Sequence, residues 1–83
     1  MPDKLAAARS AIDAVDRKLS ALLSRRFTLT APLRALKKKA ADPAREREVL
    51  ANAEAAAKKG FGAATRAVFS EIIRQSKKLQ ANK

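Results

Sequence analysis

Arg26 and Lys37 are the side chains of this sequence best placed to do chemistry, and the chemistry they suit is holding an anion. Counting by sevens gives Leu5, Ile12, Leu19, Arg26 and Leu33, and a second row gives Ala8, Val15, Leu22, Leu29 and Leu36. The two rows make one apolar seam of heptad type, with a guanidinium where a leucine belongs. An arginine stays charged at any ordinary pH and is costly to bury unpaired, so a negative group must meet Arg26. Two partners are open: a protein carboxylate, with Glu46 and Glu48 the natural candidates, or a ligand. Lys37 follows after about 20° of net helical rotation and about 16 Å of rise, if the helix is unbroken. The two cations would then share a face, with room between them for a small dianion. Lys37 could equally be one of a solvated run with Lys38 and Lys39.

Other polar residues carry a similar choice. Arg9 lies about 100° around the same helix from Arg26, so it either serves a neighbouring subunit's pocket or pairs with Asp13 four residues on. Arg45-Glu46-Arg47-Glu48 reads as a charged, solvated face, and Glu46 also offers an acceptor beside a cluster of cations. Ser76 and Gln80 bring a hydroxyl and a neutral amide onto the stripe that should pack against the first helix. They are either pocket residues or the wet end of that stripe.

These residues must be positioned by helices. The 83 residues suffice for one domain over 1–83, and two Gly, three Pro, three Phe and no Trp or Tyr give a helix-forming, all-α composition. The first helix is expected from about Asp3 to about Lys39, with a kink at Pro32, where the bond to the Thr28 carbonyl is lost. At roughly 54 Å it would project beyond a domain whose radius of gyration should be about 12 Å, so its seam needs a partner chain. Asp42-Pro43 marks the start of a second helix, expected to run to Lys58 or Lys59 with Gly60 as its cap. After the turn at Phe61-Gly62, a third helix from about Ala63 carries Val68, Phe69, Ile72, Ile73 and Leu79.

Nineteen Lys and Arg against eight Asp and Glu give a formal charge of +11, which favours polyanions or small anionic metabolites as partners. The chain has no cysteine for disulfides or thiol chemistry and no histidine for proton shuttling. No apolar run approaches the roughly 20 residues that span a bilayer. The first fifteen residues alternate charged and apolar positions, unlike a signal peptide, so a cytoplasmic location away from membranes is expected.

Taken in order, Leu5-x3-Arg9-x2-Ile12-Asp13-x2-Asp16, Leu22-Leu23-x2-Arg26, Lys37, Asp42-Pro43-x-Arg45-Glu46 and Phe69-x2-Ile72-Ile73-x2-Ser76-x3-Gln80 closely resemble the all-helical, AroQ-type chorismate mutases. The resemblance covers about Leu5 to Gln80. It implies a domain-swapped, intertwined homodimeric helical bundle of three helices per chain, with chorismate as substrate and prephenate as product, in phenylalanine and tyrosine synthesis. It implies neither cofactor nor metal, since the pericyclic rearrangement needs no nucleophile or redox centre. By the same resemblance Arg26 and the partner chain's Arg9 bind the two carboxylates, and Lys37 and Gln80 donate to the ether oxygen. Glu46 holds the ring hydroxyl, Ser76 and the Asp42 backbone assist binding, and Arg45 is a supporting charge. An isochorismate-pyruvate lyase of similar fold is the nearby alternative, which Glu46 disfavours. A basic module binding nucleic acid is the remoter one, disfavoured by the lack of aromatic stacking residues and by Arg26 lying in the seam.

Overall fold

A computed structural model of the protein describes residues 3–36 and 42–81. Helix α1 spans Asp3–Thr30, a 3-10 turn spans Ala31–Ala35, α2 spans Pro43–Ala56 and α3 spans Gly62–Ala81; there is no strand among the described residues. The all-helical expectation holds, and α1, at 28 residues and about 42 Å, dominates the chain.

The long helix ends sooner than its apolar pattern suggests. Pro32 sits in the first turn of the 3-10 segment, and α-helical geometry stops at Thr30 in place of bending and continuing toward Lys39. Pro32 has no N–H to offer the Thr28 carbonyl, and its ring crowds that turn. The hydroxyls of Thr28 and Thr30 bond back to the carbonyls of Ser24 at 2.8 Å and Phe27 at 3.3 Å, contacts that compete with helix continuation. The 3-10 turn closes with the Leu36 N–H on the Leu33 carbonyl at 2.9 Å. Lys37, Lys38 and Lys39 lie outside the described residues.

At the start of α2 the Asp42 side chain accepts the Arg45 N–H at 3.1 Å, and Pro43 occupies the first turn, as the sequence predicts. Its end departs from expectation: Ala57 turns to extended backbone, with φ −72° and ψ 149°, before Lys58 and Lys59 are reached. Those lysines belong instead to a turn in which the Phe61 N–H bonds the Lys58 carbonyl at 2.9 Å. Gly60 is its third residue, with φ 94°, a left-handed value that glycine adopts without steric cost. The chain then re-enters helix at Gly62, where α3 runs back along α2. A Cβ on Gly62 would meet the Glu54 Cγ at 3.2 Å, and Arg66 reaches the Glu54 carboxylate at 3.2 Å across the same corner.

Thus α2 and α3 form a helical hairpin that meets the 3-10 turn and the C-terminal part of α1, and the rest of α1 extends away. The Cα radius of gyration is 16.0 Å, with extents of 57 × 27 × 14 Å. A compact chain of this length would have about 12 Å. Of the seam residues, Leu5, Ile12, Val15, Leu19, Leu22 and Leu29 are 51–65% exposed. The expected stripe on α3 is only partly covered: Ile73 is buried and Val68 is exposed.

Candidate active site

Among the described residues only Ile73, Ser76 and Gln80 are buried, and they share one face of α3 at helical spacing. Two of the three are polar. Beside them lies a hollow at the junction of all the elements. The end of α1 contributes Arg26 and Thr30, the 3-10 turn Leu33, and the first turns of α2 Asp42, Arg45, Glu46 and Val49. The face of α3 adds Ile73, Ser76, Lys77 and Gln80. Three cations and two carboxylates therefore line the hollow, and the positive end of the α2 dipole adds to the excess.

Arg26 is half-buried on the α1 face shared with Leu23, Phe27 and Thr30, and its Nη1 donates to the Ser76 Oγ at 3.0 Å. The internal salt bridge considered for it is absent among the described residues. Glu48 is taken by Arg45, three residues away, and Glu46 by Lys77, whose Nζ lies 3.3 Å from Oε2 and 3.4 Å from Oε1. A guanidinium with a neutral hydroxyl as its partner is under-compensated. Burial, and then the nearby charge of Arg45, lower the Arg26 pKa from its ordinary value. Both effects are costs of holding this cation here, and an anion in the hollow would relieve both.

Gln80 has 4% of its surface exposed, and its Oε1 has no hydrogen-bond partner among the described residues. A buried amide oxygen left unsatisfied is costly, which marks it as a group suited to a ligand more than to packing. A half-turn of the carboxamide would exchange Oε1 for the donor Nε2. The alternative that Ser76 and Gln80 are the wet end of the stripe fails, since both are among the best-buried residues described.

Of the eight residues selected from sequence, six meet at this hollow: Arg26, Asp42, Arg45, Glu46, Ser76 and Gln80. Arg9 is exposed on α1 and is not among them. Lys37 lies outside the described residues, and the helical arithmetic that aligned it with Arg26 does not apply across the 3-10 turn. Sequence reasoning passed over Lys77. The available signal was its position one residue after Ser76 and three before Gln80, at the edge of the polar stripe.

Comparison with known families settles what kind of protein this is. The family model described as chorismate mutase type II matches residues 8–81. The chain belongs to that family. The match to the chorismate mutase family covers the ends of all three helices that meet at the hollow, from Arg9 on α1 to Gln80 on α3. Neither the curated proteins nor the solved structures supply a match. Among the described residues of this chorismate mutase family member, no helix is long and apolar enough to cross a membrane.

Proposed function

We propose that this chain, as a single 83-residue domain, is a homodimeric chorismate mutase that converts chorismate to prephenate. The observation that carries the proposal is Arg26: a half-buried guanidinium in a hollow, held by a neutral hydroxyl while Glu46 is paired with Lys77, Glu48 with Arg45, and Asp42 caps the Arg45 N–H. Such a site suits a carboxylate supplied by a small dianion. Gln80, buried and unsatisfied at the same hollow, suits a second polar atom of the same ligand.

The rearrangement is a one-step pericyclic shift in which an ether C–O bond breaks as a C–C bond forms. Its catalysis needs the substrate held in the diaxial, near-reactive conformer and charge on the ether oxygen stabilised as it develops. Arg26 anchors one carboxylate, with Ser76 fixing the guanidinium. Gln80 turns its amide donor to the ether oxygen, and Lys37 is assigned the second donor. Glu46 accepts the ring hydroxyl, the Asp42 backbone closes the edge of the pocket, and Arg45 adds positive potential. No step requires the side-chain types this chain lacks.

Two features of the single chain support the dimer. The hollow, at about 130 Å³, falls short of the roughly 300–1,000 Å³ of small-molecule sites. The exposed seam on α1 offers the apolar surface a second copy would cover, and Arg9 on that helix would then reach the partner's pocket. Incubating purified protein with chorismate and with isochorismate tests the activity. Prephenate formation is expected; salicylate from isochorismate, without prephenate, would assign the chain to the lyase reaction.

A further inference from the structure

We propose that Lys77 is a positioning residue of this site, which neutralises Glu46 and fixes its carboxylate as an acceptor facing a bound dianion; this rests on the function proposed above. A carboxylate at the edge of a dianion site works against binding, because its own charge repels the ligand. Glu46 can contribute an acceptor without that penalty only if a cation cancels its charge. The Lys77 ammonium straddles the carboxylate, 3.3 Å from one oxygen and 3.4 Å from the other.

The other cations on that side are committed. Arg45 is paired with Glu48, and Arg74 bonds both oxygens of Glu71, at 2.9 and 2.6 Å. Lys77 also links two elements: it stands on α3 between Ser76 and Gln80, and Glu46 stands in the first turn of α2, so the pair ties the two walls of the hollow together. With side chains 37% and 28% exposed, the pair is partly screened and adds little to stability. Its loss should therefore be visible in substrate binding and not in unfolding.

The test is a double-mutant cycle on chorismate turnover with Lys77→Met, Glu46→Gln and the double variant, accompanied by Lys77→Gln, Lys77→Arg and thermal unfolding of each. Lys77→Met is expected to raise KM about tenfold with kcat within about twofold. Added salt should narrow the gap as the repulsion is screened. In the Glu46→Gln background the same change should have a clearly smaller effect, because the carboxylate that Lys77 fixes is gone and only the ammonium's own attraction for the dianion remains. Lys77→Arg should restore KM to within about threefold of wild type. Losses that multiply in the double variant, a KM unchanged in both Lys77→Met and Lys77→Gln, or a defect confined to unfolding temperature would overturn the role of Lys77 alone. A wild-type protein that leaves chorismate unchanged would overturn the proposed function and this inference together.

Discussion

The two ends of the molecule invert the usual rule of burial. At the C-terminal end of α3, a serine and a glutamine have 4% of their surface exposed, with Arg26 packed beside them. Along the N-terminal part of α1, leucines, an isoleucine and a valine remain more than half exposed. A monomeric domain of this size ordinarily spends its limited interior on apolar side chains. Here the buried positions line a polar hollow, and the apolar seam of α1 stays exposed. Polar hollow and apolar seam thus lie apart on the chain, and the proposed dimer would make the seam an intermolecular core.

The largest effect is expected from placing a charge in the seam. On a lone chain Leu19→Asp would be a surface change costing less than about 0.5 kcal/mol. In a shared seam it buries an unpaired charge, at several kcal/mol. Sedimentation should show the wild type at twice the 9.0 kDa of one chain and the variant at that single mass, with turnover abolished. An unchanged mass and activity would return the seam to solvent.

Next in size are changes inside the pocket. Arg26→Leu completes the heptad row, so it should lower kcat/KM by on the order of 10³ while raising the unfolding midpoint by about 4–8 °C, the equivalent of about 1 kcal/mol. Opposite signs in the two assays would show that the arginine is kept for the ligand. Gln80→Leu should follow the same pattern with a loss of about 10²-fold, chiefly in kcat. Mixing Arg9→Ala with Arg26→Ala chains joins the two regions in one experiment. Each variant alone should be inactive, and exchange should restore up to about a quarter of wild-type turnover, because half of one mixed dimer retains both arginines.

The helices were legible in the sequence where their signals are local. Asp42-Pro43 caps α2 as expected because capping needs only the residues beside it. Pro32 was harder: whether a helix bends or stops at proline depends on what its neighbours do, and Thr28 and Thr30 turn their hydroxyls back onto the helix. The Lys58-Lys59-Gly60 signal was genuine but marked a turn, with the glycine two positions later than a helix cap would need. In the site, spacing brought out Arg26, Ser76 and Gln80 because they lie on helix faces with a fixed period. Spacing could not say that Glu46 belongs to Lys77 and Glu48 to Arg45, since the first pairing crosses between helices. That pairing is what leaves Arg26 without a carboxylate.

The smallest expected effect lies away from both regions. Hydrogen bonds from Arg74, then from Gln75, hold the exposed Glu71 carboxyl down to about 2 from an ordinary 4.5. A depressed carboxyl contributes stability that is present above pH 4.5 and is lost as the pH falls toward 2. Being fully exposed, Glu71 should add only slightly to the acid transition. Carbon-detected NMR titration of Glu71 should place its midpoint well below the ordinary 4.5, and an ordinary midpoint would remove the interaction.

Whether the hollow at Arg26 rearranges chorismate is decided by following chorismate absorbance on adding purified wild-type protein beside Arg26→Leu. The expected result is rapid decay with prephenate accumulating for the wild type, and decay near the uncatalysed rate for the variant at equal or greater stability. Equal decay for both proteins, or none for the wild type, would contradict it.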